Sequence, residues 1–239
     1  MARMVGFTRV IRQPWLNKTL ELAAEGLDAT QMRAELEDYL SFEITSDTNR
    51  RKTREILLLP WVAEDKGLAA LRAEALELAK SHPYELLPLH WGLLIVAFPM
   101  FADLVRLLGK MGEYQDELTS AQIKQKVLDE WGERSTVVKG SEKMLASLNA
   151  IGVIRRVKVG RYVVEPAVPV DEGLSLYLLH ADMLANPSSY QTYGELLRLP
   201  ELFPFKLSVS KEGLLEDDRF MVGNFGREFT VSVREGMAN

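Results

Sequence analysis

Cysteine is absent from all 239 residues. This excludes disulfides, thiolate zinc sites and a cysteine nucleophile, and it suits a reducing cytoplasm. Histidine is scarce: His82, His90 and His180 lie far apart, and none stands in a metal-ligand spacing such as HxxxH. The phosphate-cradling pattern GxxxxGK(S/T) is missing, and Gly223 and Gly226 are too close together for a dinucleotide fingerprint, so they read as a hairpin turn. Glu64 and Lys66 match the ExK fragment of metal-dependent nucleases, with Asp47 as a nominal partner. The surrounding sequence is helical, however, and lacks the strand pair that would bring those carboxylates onto one Mg²⁺ ion. With no convergent constellation, the expectation is a protein that is not an enzyme and that uses no cofactor and no metal. Long apolar runs are also wanting. Residues 86–102 carry no Asp, Glu, Lys or Arg, but 17 residues are at the short limit for a membrane span, and Pro88, His90, Gly92 and Pro99 interrupt them. One buried helix of a soluble core is predicted there instead. The first fifteen residues hold no apolar h-region, so they do not read as a secretory signal, and a cytoplasmic protein is expected.

What is present is an ordinary globular composition, 47% hydrophobic with a formal charge of −5, long enough to bury a substantial core. Against that acidic background, residues 116–164 are basic. Between Lys124 and Arg161 nine Lys or Arg stand against four Asp or Glu. The local pattern is that of a winged helix-turn-helix. Thr119 can cap a helix over 120–131, with Gln122 as the capping-box partner, and Gly132 ends it. Ser135 or Thr136 can start a second helix, whose Val138, Leu145, Leu148 and Ile151 recur at helical spacing and would pack on Ile123 and Val127. Gly152 ends that helix. The β-branched runs 153–158 and 161–164 flank Val159 and Gly160, the composition of a two-stranded wing. Thr136, Lys139, Lys143 and Ser147 fall on the face opposite the apolar stripe, where a recognition helix carries its groove-facing residues. Arg155, Arg156, Lys158 and Arg161 decorate the wing. Such clustering suits a phosphate backbone, because each contact releases condensed counterions. A solvated surface on a winged helix that docks another protein remains the alternative.

The rest of the chain divides around this segment. Residues 1–112 read as a helical bundle, with helices over 18–25, 30–40, 51–59 and 67–81 and the apolar segment. Residues 113–169 are the winged helix. Residues 170–239 hold an apolar helix over 173–184, a short helix over 193–199, a β-prone run over 205–210 and a terminal hairpin, with Gly223, Asn224 and Gly226 as turn residues. The predicted fold class is therefore mainly α, with an N-terminal helical bundle, a central winged helix-turn-helix, and C-terminal helices with a small β-hairpin. From Glu165 onward twelve acids face six bases, so this end is expected to turn away from nucleic acid. A second basic cluster, TNRRKTR over 48–54, offers Arg50, Arg51 and Arg54 to phosphates at a helix N-terminus. Pairing with Glu35, Glu37 and Asp38 is the competing reading. Arg3, Arg9, Arg12 and Lys18 form an acid-free arm that could reach phosphates or simply aid solubility.

The order of these parts resembles a family. The segments SDTNRRKTREIL, LTSAQIKQKVLDEW, STVVKGSEKMLASLNAIGVI and LPELFPFKLSV, in this layout, are similar to BrxA proteins of bacteriophage-exclusion (BREX) phage-defence systems. The resemblance implies a non-enzymatic accessory component that binds double-stranded DNA and works with other phage-defence proteins, with no small-molecule substrate and no membrane. It places the family's Thr and Arg pattern on Thr48, Arg51 and Arg54 and the start of the recognition helix on Ser135, Thr136 and Lys139. Gly140 departs from that pattern and weakens the helix by about 1 kcal/mol relative to Ala. A scaffold subunit that binds protein, or a repressor acting as a dimer on a palindromic site, are the other functions the residues allow.

Overall fold

The computed structural model describes residues 6–187, 190–226 and 228–234. Six successive helices build the N-terminal part: α1 (Gln13–Ala24), α2 (Ala29–Ser41), α3 (Asp47–Val62), α4 (Lys66–Ser81), α5 (Leu87–Ala97) and α6 (Pro99–Gly112). Their starts follow from capping chemistry. Asp28 accepts from the amides of Thr30 and Gln31 while Gln31 reaches back to the Asp28 amide, and Ser46 and Asp65 cap α3 and α4.

The apolar segment differs from the single helix expected over 86–102. It is two helices, α5 and α6, bent by 118° at Phe98. The cause is local: Pro99 has no N–H and disfavours the helical conformation of the residue before it, and Phe98 duly sits at φ −129°, ψ 88°. Among the described residues no single helix is long and apolar enough to cross a membrane. Helix α5 is buried nearly all round, which explains why it carries no charge.

The central part contains β1 (Leu118–Thr119), α7 (Ser120–Trp131), α8 (Ser135–Ile151), β2 (Ile154–Lys158) and β3 (Arg161–Val164), with the strands in the antiparallel order β1-β3-β2. Thr119 and Gln122 form the reciprocal capping box of α7. Helix α8 begins at Ser135, with Arg134 at its cap and no side-chain cap bond, and Gly152 in the left-handed region ends it. Gly160, at φ +71°, makes the turn between β2 and β3.

The C-terminal part runs β4 (Val168–Pro169), α9 (Glu172–Ala185), β5 (Gln191–Thr192), α10 (Tyr193–Leu196), a 3-10 turn (Pro200–Leu202), β6 (Phe205–Lys206), α11 (Lys211–Glu216), β7 (Phe220–Phe225) and β8 (Glu228–Val233). Strands β4 and β6 pair in parallel, and β5-β8-β7 form an antiparallel sheet. Three expectations need correction here. The strand run over 205–210 shrinks to β6, because Ser210 caps the unforeseen α11 by accepting from the Gly213 amide. The helix over 193–199 stops at Leu196. Gly223 and Asn224 are ladder residues opposite Thr230 and Phe229, so the hairpin turns later, where Gly226 has φ +64°.

One buried apolar cluster runs through all three parts. Helix α5 packs on α9, where the Tyr177 hydroxyl donates to the Leu89 carbonyl at 2.8 Å, and the Trp91 indole donates to the Glu201 carbonyl at 2.9 Å. A Cβ at Gly109 would collide with the Pro200 carbonyl, so the closeness of α6 to the 3-10 turn depends on glycine there. The breaks expected at 112 and 169 thus mark changes of element type across a shared core.

Candidate nucleic-acid interface

Helix α8 has two faces. Val137, Ser141, Met144, Leu145, Leu148 and Ile151 are buried, while Thr136, Lys139 and Lys143 are exposed, one turn or so apart on the opposite side. Val138 is only half-buried, and Val137 fills the core position instead. Gly140 is buried too. Ser147 corrects the sequence reading: it is fully buried, donating to the Lys143 carbonyl at 2.8 Å and accepting from the Ile11 amide at 3.0 Å. A hydroxyl that returns its proton to its own helix can be sequestered without an unpaired donor, which is why polarity alone misplaced it.

The β2-β3 hairpin stands beside this helix. The Asn149 side-chain oxygen accepts from the Arg156 amide at 2.8 Å, joining the end of α8 to β2. The strand register shifts between Arg156 and Lys158, a bulge that re-aims the side chains near the tip. Arg155, Arg156, Lys158 and Arg161 are all exposed. Arg155 pairs with Glu165 at 2.6 Å and Arg161 with Glu117 at 2.8 Å. Both pairs are largely solvated, and such pairs contribute about 0–1 kcal/mol, so a phosphate could displace them cheaply. Lys139, Lys143, Arg156 and Lys158 have no carboxylate within ion-pair distance among the described residues. They form the α8 and β2 share of the charge that is not internally neutralised, to which exposed Lys124 and Lys126 of α7, likewise in no ion pair among the described residues, add.

The cluster over 48–54 is differently disposed. Arg50 donates to Glu37, to Asp47 at 2.8 Å and to the Ile44 carbonyl at 3.0 Å. Arg54 donates to Glu37 at 2.8 Å and to Glu55 at 2.9 Å. The hydrogen bond that Arg50 donates to the Glu37 carboxylate raises the Arg50 pKa above its ordinary value. The pairing anticipated from Glu35, Glu37 and Asp38 therefore resolves onto Glu37, with Asp47 and Glu55 added. Arg51 and Lys52 stay exposed and unpaired among the described residues, and Ser46 already occupies the cap of α3. The N-terminal arm is likewise tied down from residue 6 onward. Phe7 and Ile11 are fully buried, Arg9 donates to Asn49, Arg12 pairs with Glu43 and Lys18 with Glu21. Arg3 lies outside the described residues.

Several charged groups invisible as a set in the sequence meet in the interior. Arg106 bridges Asp103 and Glu201 and also reaches Asn186, which donates to Asp182. The Trp131 indole, at the end of α7, donates to Asp103 at 3.0 Å and so ties the basic segment to the bundle. Burial, reinforced by neighbouring Glu201, pushes the Asp182 carboxyl up to about 8. Burial lowers His90 to about 3, and its ring N–H donates to Asn17 at 2.8 Å, leaving it a neutral core residue. No signal in the sequence links these groups, since the partners of Arg106 and Trp131 are set by helix packing. Among the described residues no three His, Asp or Glu side chains gather as a metal site.

No protein-family model, curated protein or solved structure matches the chain.

Proposed function

We propose that this chain is a non-enzymatic DNA-binding accessory protein of a bacterial phage-defence system of the BREX type, acting in the cytoplasm through a winged helix-turn-helix formed by α7, α8 and the β2-β3 hairpin. The observation that carries the reading is the un-neutralised basic face. Thr136, Lys139 and Lys143 project from one side of α8, and Arg156 and Lys158 extend from the strand that Asn149 fastens to the same helix. A helix of this exposure fits a major groove, and the hairpin beside it would reach the backbone. Arg155 and Arg161 add to the surface once their solvated partners are exchanged for phosphate. Arg50, Arg51 and Arg54 are secondary: among the described residues Arg51 alone of the three is free of a carboxylate. The phage-defence setting, and with it the expectation of further defence proteins as partners, rests on the segment order that resembles BrxA.

The test is a mobility shift with random-sequence duplex at two salt concentrations. Neutralising phosphates makes log affinity fall steeply with log salt, by about 0.9 per contact. Reversing Lys139, Lys143, Arg156 and Lys158 to Glu should weaken binding and flatten that slope, whereas an unchanged affinity would remove this face from the mechanism. A second reading, a scaffold subunit that binds protein, is favoured by one observation: Tyr190, Met221 and Phe225 stand exposed on the C-terminal sheet. Retrieval of a partner by that sheet, with no salt-sensitive shift of duplex, would decide for it.

A further inference from the structure

Among the described residues, strand β7 of the sheet β5-β8-β7 has a neighbour on one side only. Folded proteins commonly protect such an edge with Lys, Pro, a bulge or brevity. The outer strand of the other three-stranded sheet, β2, follows this rule with Arg155, Arg156, Lys158 and a register shift. Strand β7 has none of these protections. Its six residues, FMVGNF, contain no charge and no proline, and its ladder with β8 is regular from Phe220 to Phe225.

The direction of the free groups follows from the ladder. The Arg234 amide donates to the Arg219 carbonyl, so Arg219, Met221, Gly223 and Phe225 turn their backbone groups toward β8, and Val222 and Asn224 turn theirs outward. Side chains alternate as well. Met221 and Phe225 share one face, 49% and 66% exposed, and Phe225 stacks on Tyr190 with ring centroids 5.6 Å apart.

We propose that β7 is a self-association edge, and that it pairs antiparallel with β7 of a second copy of this chain about a two-fold axis at Gly223. The occupant is selected by self-complementarity. In this register Val222 of each copy faces Asn224 of the other, which are the outward-pointing residues, giving about four backbone hydrogen bonds. Met221 of each copy lies opposite Phe225 of the other, so two thioether–aromatic contacts form on the exposed face. The strand is uncharged, so nothing on it repels its own image. Glycine meets glycine on the axis, where the non-hydrogen-bonded pair brings backbones nearest. Pairing consumes both long edges and leaves only two-residue β5 outside, so the assembly closes as a dimer and does not grow into a fibre. The contact is small compared with the roughly 1,000 Å² of a stable interface, and a dissociation constant on the order of 10 µM follows. The inference does not depend on DNA binding.

The full chain should sediment as a monomer–dimer equilibrium centred near that concentration. Asn224→Pro removes an outward N–H without touching the ladder to β8, and should give a monomer with an unchanged circular dichroism spectrum. Gly223→Cys provides an independent check that needs no loss of folding. A Cβ there meets only the Thr230 hydroxyl, at 3.5 Å, and the chain has no other cysteine. Two such residues on the axis lie within disulfide reach, so mild oxidation should yield one covalent dimer, while Ser232→Cys, off the axis, should not. A chain that stays monomeric up to roughly 300 µM overturns the proposal, as does a dimer that survives Asn224→Pro and leaves Gly223→Cys uncrosslinked.

Discussion

Two arginine- and lysine-rich stretches of this chain look alike as text and differ as surfaces. In residues 48–54, Arg50 and Arg54 converge on the single carboxylate of Glu37, with Asp47 and Glu55 as further partners, and Arg51 and Lys52 alone of the cluster stay unpaired among the described residues. On α8 and β2, Lys139, Lys143, Arg156 and Lys158 project without an acid in reach among the described residues. The first cluster holds helices together. The second presents charge to solvent, and only charge of that kind gains by meeting a polyanion, because its counterions are released without first breaking an internal pair. The contrast teaches that a run of bases specifies a binding surface only when the acids that could satisfy it are placed elsewhere.

The largest effect should come from reversing all four unpaired bases. We expect DNA affinity at low salt to fall by at least about 100-fold and the salt slope to lose roughly three to four units, read by a mobility shift. An equal loss from Arg50→Gln with Arg54→Gln would erase the distinction between the clusters. A buried acid cluster extends the comparison to the interior. Asp182 has an ordinary carboxyl value of 3.8 and is raised to about 8 in the fold, so the native state holds a proton that the unfolded chain gives up. Stability contributed by the protonated acid is therefore lost as pH rises from about 4 to about 8, and is flat above that. Asp182→Asn should be close to parent at pH 4 and more stable at pH 8, by up to about 5 kcal/mol for a shift of this size, measured by denaturant melts at both values.

Smaller effects sharpen the contrast. Glu37→Gln leaves two partly buried guanidinium groups short of an anion and should cost about 1–2 kcal/mol of stability, while DNA binding stays within about threefold or improves slightly. Asn149→Ala deletes the bond that sets β2 against α8 and should cost about 1 kcal/mol, with a loss of DNA affinity of about threefold that is absent in the charge-reversed background. Additive losses in that double variant would show that Asn149 does not act through the basic face.

Much of the fold was legible because its signals are local. Thr119 with Gln122, Gly152 and Gly160 each act on backbone within four residues, and the ends of α7 and α8 and the turn between β2 and β3 followed from such signals. The errors lie where a distant partner decides. The apolar segment is the exception, since Pro99 by itself disfavours the helical conformation of Phe98 and so separates two helices. Ser147 reads as a surface residue until Ile11 supplies its donor. Gly223 and Asn224 suit a turn or a strand, and the ladder to β8 chooses. The basic face on α8 was visible because it rests on helical period alone. The pairing of Arg50 and Arg54 was one of two readings open in the sequence, and the packing of α2 on α3 chooses it by bringing Glu37 to both.

The bond between the Ile11 amide and the Ser147 hydroxyl joins residues 136 positions apart, and it acts on the helix that bears Lys139 and Lys143. During synthesis at about 5–20 residues per second, roughly 7–27 s pass between the emergence of one partner and the other. Throughout that interval Phe7 and Ile11 have no completed seat, because the helix that receives Ile11 has yet to be made. The chain's opening segment is thus made first and seated late, when the basic-faced α8 arrives to receive it, which makes the order of translation part of how this surface is assembled.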